Sequence, residues 1–533
     1  MKRAILIFTL LICVVLLTNL FISCSEPAPT TTTSQTTPTT TVTQTPKAGG
    51  IFRLISNEQP SALGVPDLVK TAGMQYVSPM LESLVHRDIV DGKITFVGIL
   101  AESWEWAPDY QSITFKLRQG VKFHDGTDFN AEAVKWNFQN RLEQNMPRAA
   151  DVESVDVIDE YTVRYNLVDY TSLFLLNLED GNGFGPIISP TAYDENGREW
   201  ATWNPVGTGP FKFKSWEQDV SLEMERFDDY WGGKALLDGV TCVFIADSLT
   251  AQMSFENGDG DRLYLISRSN ELATYFEPMG YPIAWADSGL QNMIIPSSKV
   301  EGSPWAIKEV RQALDYAIDK EQICESIGNG YWTPQYSMHV YSEPTNFQPR
   351  MYDPEKAKEL LANAGYPDGF TTTFYVGTHF AGPSIAAIQD YLNDVGIKTE
   401  IEQITPQKWI ELEQGPVGWG DGLMFSGGGA TGIKDWATFT NYMYINMYSG
   451  GGRWNMTIER PAEIEAMGAA FLKIHDEAEA LPAAQAMDAA VYDFAMFIPL
   501  WVSKDCFILQ KSVMDYKKYV SPSWNFTGCW LDK

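Results

Sequence analysis

The chain has 533 residues, of which 44% are hydrophobic and 13% aromatic, enough for more than one sizeable core. Sixty-eight acidic against 39 basic side chains give a formal net charge of -29. That excess repels phosphate backbones and anionic headgroups, which excludes nucleic acid as a partner and reads as solubility outside the cell.

The first two dozen residues have the make-up of a targeting segment. Lys2 and Arg3 form a basic start, Ala4 to Ile22 is apolar apart from Thr9, Thr18 and Asn19, and Ser23 and Cys24 close the stretch. A small residue before a cysteine, after an apolar run, resembles the lipobox of bacterial lipoproteins. In that signature cleavage precedes the cysteine, whose thiol then carries a diacylglycerol. The resemblance makes 1–23 a signal peptide and Cys24 the membrane anchor; a plain transmembrane anchor is the alternative. Ser25 to Pro46, "SEPAPTTTTSQTTPTTTVTQTP", has one charge and no aromatic residue. Such a segment buries too little surface to fold, so 24–46 reads as a Thr/Pro-rich stalk. At about 3.1 Å per residue it reaches roughly 70 Å from a membrane.

From Lys47 onward the pattern alternates strands and helices. "ITFKLR", Ile113 to Arg118, puts Ile113, Phe115 and Leu117 on one side, as a half-buried strand does. An Asp-Gly turn, "HDGT", follows. Asn130 stands where an N-cap belongs, with Val134 and Phe138 on one face of the helix after it. His124, Asp125, Asp128 and Glu132 are residue types of a metal or acid–base site. The five histidines (His86, His124, His339, His379, His475) form no HExxH or HxH spacing, so His124 reads as part of strand, turn and helix start. "VGTGPF", Val206 to Phe211, is a turn into a strand rather than a nucleotide loop, because Pro210 removes an amide donor and no GK[ST] follows. "ENGDGD", Glu256 to Asp261, lacks the later Glu of a calcium loop.

Helices come next. "EVRQALDYAID", Glu309 to Asp319, sets Val310, Ala313, Leu314, Ala317 and Ile318 on one stripe. "DPEKAKELLANAGY" has Asp353 as N-cap, Pro354 in the first helical position and Gly365 beyond the end. Ser384 is the expected cap of a further helix with Ile385, Ile388 and Leu392 inward; Gly396 ends it. "IKTEIEQI" then alternates as a strand with Ile397, Thr399, Ile401 and Gln403 on one side. Helix-then-strand order with short glycine connections indicates an α/β body. Cys506 and Cys529 are either a disulfide or two buried free thiols.

Several stretches, in order, resemble family 5 of the bacterial extracellular solute-binding proteins, the oligopeptide-, dipeptide- and nickel-binding lipoproteins of ABC importers. They are Leu100 to Phe138; "VGTGPFKFKSWE" and "DDYWGGKALLDGV"; "VRQALDYAIDKEQI" and "YDPEKAKELLANAGY"; "IQDYLNDVGIKTEI"; and "IPLW", Ile498 to Trp501. The resemblance implies a two-lobed periplasmic-binding-protein clamshell with an extra insertion domain and a hinge of several segments. It places lobe I at 47–66, 186–290 and 496–533, the insertion domain at 67–185, and lobe II at 291–495. It further implies a monomeric, extracytoplasmic binding protein with no catalysis and no cofactor, which passes a small solute to permease subunits from the periplasm or the outer cell surface.

Peptide-binding relatives commonly hold the ligand's amino group with an Asp in a stretch resembling DYxDP. Here that region reads "GWGDGLMFSGGGATGIKDWATF", Gly418 to Phe439, without the motif. Asp421 or Asp435 is the substitute if the solute is an oligopeptide. Trp419, Trp436 and Trp454 are the candidate faces if it is an oligosaccharide, with core packing as the third use of each. Phe425, Ser426 and Gly427 complete the expected wall, the run Gly427 to Gly429 permitting close approach of a ligand. Arg453 is the candidate partner for a carboxylate. Rivals of other classes are an exported hydrolase, which lacks a GxSxG or a Cys–His pairing to support it, and an adhesin or sensor on the same clamshell.

Overall fold

A computed structural model describes residues 45–69, 71–91, 93–179, 184–266, 269–337, 347–380, 382–430, 456–517 and 526–533. Residues 47–533 form one compact unit, to which everything below refers. Cys24 lies outside the described residues. Among these residues no helix is long and apolar enough to cross a membrane.

Fifteen strands and eight helices position the site. In chain order these are β1 (Ile51–Ser56), β2 (Ala101–Trp106), β3 (Ser112–Leu117), α1 (Ala131–Glu143), β4 (Val152–Asp159), β5 (Thr162–Leu167), β6 (Phe211–Glu217), β7 (Ser221–Arg226), β8 (Gly239–Phe244), β9 (Arg262–Tyr264), α2 (Ser269–Phe276), β10 (Ile283–Pro296), α3 (Lys308–Tyr316), β11 (Trp332–Pro334), α4 (Pro354–Asn363), β12 (Phe370–Gly377), α5 (Pro383–Asp394), β13 (Ile397–Ile404), α6 (Pro406–Gln414), β14 (Gly422–Ala430), α7 (Ala462–Phe471), α8 (Glu477–Phe494) and β15 (Ile498–Leu509).

One large sheet runs β13-β12-β14-β10-β15-β9-β1-β8-β7-β6, with β11 also on β15. Each end has parallel pairs, β1 with β8 and β9, and β12 with β13 and β14. The long strands β10 and β15 join the two halves. Ile283 to Trp285 pair with Ile508 to Cys506, and Gly289 onward pairs with Lys504 and beyond. Four steps along β10, from Trp285 to Gly289, therefore face two steps along β15, and this irregularity lies where one half of the sheet gives way to the other. The architecture is the two-lobed α/β clamshell, with the crossing strands between its halves.

A separate four-stranded antiparallel sheet, ordered β2-β3-β5-β4, backs onto α1. Ile113, Phe115 and Leu117 point into its core, where they meet Val134 and Phe138. Asn130 caps α1, accepting from Ala133 N at 3.0 Å. In the preceding turn Asp125 accepts from Thr127 N and Oγ1, and Gly126 has φ +87°. His124 Nε2–H donates to Gly209 O at 3.0 Å while Nδ1 accepts from Gly207 N at 3.3 Å, which fixes a neutral tautomer. His124 is thus a staple between this sheet and the "VGTGPF" loop.

Gly207 and Gly209 are required in that loop, because a Cβ at either would stand 2.3 Å from Met80 O or 2.4 Å from Pro79 O. Between them Thr208 donates to Glu82, a buried carboxylate that also accepts from Tyr230 OH at 2.7 Å and Trp231 Nε1 at 2.9 Å.

In the other half of the large sheet the α3 stripe is buried as expected, and so are Arg311 and Asp315. Arg311 donates to the carbonyls of Trp305, Ala306, Phe494 and Ala495. Asp315 holds Lys320 at 2.6 Å and Arg350 at 2.8 Å. Asp353 caps α4, and Gly365 takes φ +95° after it. Two details differ from the sequence reading. The cap of α5 is Gly382, with Pro383 and Ser384 already helical, since proline supplies the fixed φ of a first turn. On β13, Gln403 is exposed and Ile404 is buried against α6. Cys242, Cys324, Cys506 and Cys529 are free and buried, so Cys506 and Cys529 are not paired.

Candidate binding cleft

A cavity of about 370 Å³ opens where the two halves of the sheet meet. Leu290 and Asn292 of β10 and Trp501, Ser503, Lys504 and Asp505 of β15 form its floor. The start of α2, Ser269 to Glu271, closes one side; β11 with Trp332, Phe425 of β14, and the β12–α5 connection with His379 and Phe380 close the other.

One wall is aromatic. Trp332 and Trp501 stack with centroids 4.8 Å apart, and Phe425 lies 6.0 Å from Trp501 and 5.3 Å from Phe380. Strand alternation explains this wall: Phe425 faces the cavity, whereas buried Ser426 turns the other way and donates to buried Glu413 at 2.9 Å. Gly427 leaves room for the Phe380 ring, which a Cβ would approach to 2.5 Å. Gly428 and Gly429 pair with Gln291 and Leu290 of β10.

The opposite side is polar. Ser269 Oγ donates to Asp505 at 3.1 Å and accepts from Cys506 N at 3.1 Å, which fixes the α2 start against β15. Asn292 Nδ2 donates to Leu290 O at 3.0 Å and Ser503 Oγ at 3.2 Å. Lys504 lines the cavity and makes no ion pair among the described residues. Just past β1, burial pushes the Glu58 carboxyl up and the charge of Asp505 adds to that shift; Glu58 Oε2 is buried with no hydrogen-bond partner among the described residues. On the aromatic side, burial lowers the His379 imidazole, whose Nδ1 is buried and has no partner among the described residues. A stacked apolar wall facing carboxylates, amides and an ammonium with no ion pair among the described residues suits an amphiphilic, zwitterionic molecule.

Of the residues expected at the site, Phe425 lines the cavity, Gly427 lies against the Phe380 ring and Ser426 faces away. Trp419 is 2% exposed and packs with Met293, Ile295, Met424 and Ile458; its Nε1 has no partner among the described residues. Asp421 is tied to Ser303 Oγ. Asp435, Trp436, Arg453 and Trp454 lie outside the described residues. Sequence reasoning did not identify Trp332, His379, Ser503, Lys504, Asp505 or Glu271 as lining residues. Trp501 stood in "IPLW", the only signal that pointed to this strand.

The family model for the middle part of bacterial extracellular solute-binding proteins, family 5, matches residues 95–451. The glutathione-binding protein GsiB of Pectobacterium atrosepticum is 33% identical over 362 residues, covering 65% of this chain and 69% of that protein. GsiB of Escherichia coli K12 is 30% identical over 464 residues, covering 83% and 85%. The oligopeptide-binding protein AppA of Bacillus subtilis, solved with a nonapeptide, superposes with a TM-score of 0.77 at 22% identity, covering 92% of this chain and all of that one. By their names these proteins bind glutathione or oligopeptides. Residues 47–533, with their cleft between two halves of one sheet, are a solute-binding body of ABC import, and the chain belongs to family 5 of the bacterial extracellular solute-binding proteins.

Proposed function

We propose that the protein captures a small peptide-like solute, a short oligopeptide or a glutathione-like tripeptide, in the 370 Å³ cleft and hands it to the permease subunits of its importer. The observation that carries this reading is the pairing of an aromatic wall (Trp332, Trp501, Phe425) with a polar side that offers carboxylates and an ammonium (Asp505, Glu271, Lys504). A peptide presents apolar side chains, an ammonium and carboxylates together. Closing the halves sequesters it from water, and no bond of the solute changes. An oligosaccharide is less well served by this wall, because Trp332 and Trp501 cover one face of each other and Trp501 is only 1% exposed.

The lobes expected from the resemblance (47–66, 186–290 and 496–533; 67–185; 291–495) change over within β10, beside the irregular register between Trp285 and Gly289. Asp435, Trp436, Arg453 and Trp454 are proposed to complete the cleft, and lipid on Cys24 to tether a monomer to the membrane. Cys24→Ser should release the protein from membranes.

Mass spectrometry of solute carried through purification, with melting of the stripped protein against glutathione, peptides of two to nine residues and oligosaccharides, tests the reading. At one hundred times Kd the expected gain is about 2.7 kcal/mol. A response to sugars alone would overturn the peptide assignment, and chemical change of the recovered solute would overturn the non-catalytic one.

A further inference from the structure

The turn between α7 and α8, Leu472 to Asp476, meets one corner of the four-stranded sheet. Ser172 N donates to Leu472 O at 3.0 Å, and Tyr170 OH to Ile474 O at 3.4 Å. Lys473 Nζ lies 3.1 Å from Asp169 Oδ2. Tyr110 and His475 stack with ring centroids 4.0 Å apart and planes 12° from parallel. Tyr170 stands edge-on to Tyr110 at 5.3 Å and to Trp106 at 5.3 Å, backing the stack. Tyr110 is held at φ 56°, a left-handed conformation rare for a bulky side chain, and in the β2–β3 turn it presents the ring to His475.

The two sides of this contact belong to opposite halves of the molecule. Val491 and Phe494 of α8 pack with Met293 and Met424, on the β12–β14 half. The four-stranded sheet is stapled to the β1–β6 half through His124, Glu82 and Tyr230. The contact therefore spans the halves, and none of its residues lines the cavity. It is made by exposed or half-buried side chains, so it adds little to either core.

We propose that it is a clasp: it forms as the halves close, stabilises the closed state without touching the solute, and so sets how long cargo is retained. The proposal rests on the clamshell capture described above. A contact present only in the closed state shifts the open–closed equilibrium by its full free energy, and release slows accordingly.

Ser172→Cys with Leu472→Cys, oxidised by copper–phenanthroline, traps the closed state, and the trapping rate reports its population. S-methylglutathione, whose capped sulfur spares the thiols, serves as solute probe. Trapping should occur, and should accelerate with the probe. Adding Tyr110→Ala or His475→Ala should slow it roughly two- to tenfold, the weight of one aromatic pair, with an unchanged melting temperature; Tyr110→Phe should leave it as it is. No trapping while both thiols react with maleimide, an unaltered rate in both alanine variants, or a slower rate with an equally lowered melting temperature would each overturn the clasp. A rate indifferent to S-methylglutathione but slowed by Tyr110→Ala supports the clasp and counts against a glutathione-like cargo.

Discussion

Trp332 and Trp501 lie face to face, their centroids 4.8 Å apart and their planes 3° from parallel. They come from different strands, β11 and β15, whose pairing sets Thr333 opposite Val502. Trp501 is 1% exposed and belongs to the core around Phe425 and Leu500, whereas Trp332 is half-buried and borders the cavity. One ring supports and the other receives.

That asymmetry separates two variants. Trp332→Ala should weaken solute binding by about tenfold with a small loss of stability, as an aromatic anchor at a cleft does. Trp501→Ala should cost about 3–5 kcal/mol of stability, the range for a large buried ring. Calorimetry with the co-purified solute and urea melts give the two numbers. Unaltered binding by Trp332→Ala would make the ring filler.

His124 imposes a pH dependence. Burial first, and Lys212 to a lesser degree, lower its pKa from 6.5 to about 4, against the opposing pull of Gly209 O and Asp125. The unfolded chain thus binds a proton between about pH 6.5 and 4 that the folded chain refuses, and stability falls as pH drops through that window. His124→Gln should flatten this part of the pH profile in chemical melts. An unchanged slope would show that other groups cause it.

Glu82 acts in the opposite direction. Burial raises its pKa from 4.5 to about 7, in spite of hydrogen bonds from Trp231, Tyr230 and Thr208. The folded chain keeps a proton that the unfolded chain gives up, so this contribution is complete below pH 4.5 and is lost as pH rises towards 7. Glu82→Gln should remove that decline, while Glu82→Ala, which strands three donors, two of them buried, should cost about 1–3 kcal/mol at any pH. Urea midpoints of both variants at pH 5 and pH 8 check the pair.

Among the described residues Arg311 neutralises no acid within hydrogen-bond reach, yet it is fully buried and donates to four carbonyls at the end of α8 and before α3. Arg311→Met should cost about 3 kcal/mol or more, because those carbonyls lose their donors, and Arg311→Lys should not restore the loss, since one ammonium cannot reproduce the planar fork. Solute affinity, measured well below the melting point, should hold. A melting temperature within a degree of the parent would refute this role.

Much of the architecture was legible from local signals. The alternation of Ile113, Phe115 and Leu117, the caps Asn130 and Asp353, and the stripe from Val310 to Ile318 each depend on neighbours within a turn or two, and each appears where expected. Ser384 was misplaced as a cap because Gly382 and Pro383 before it start the helix just as well. The structural role of His124 followed from the absence of a second histidine at ligand spacing.

The cleft was far less legible. Its floor is two strands whose residues lie some two hundred positions apart, with Asn292 opposite Trp501. Trp332, Lys504 and Asp505 have no spacing that marks them, and Trp419 looks in sequence like Trp332 although one is core and the other cavity wall. The amino-acid sequence alone determined the elements, their caps and the family, because hydrophobic period and turn chemistry act over a few residues. Only the tertiary structure decided which side chains meet in the cleft and that Tyr110 reaches His475, because those encounters depend on how distant strands and loops are brought into register.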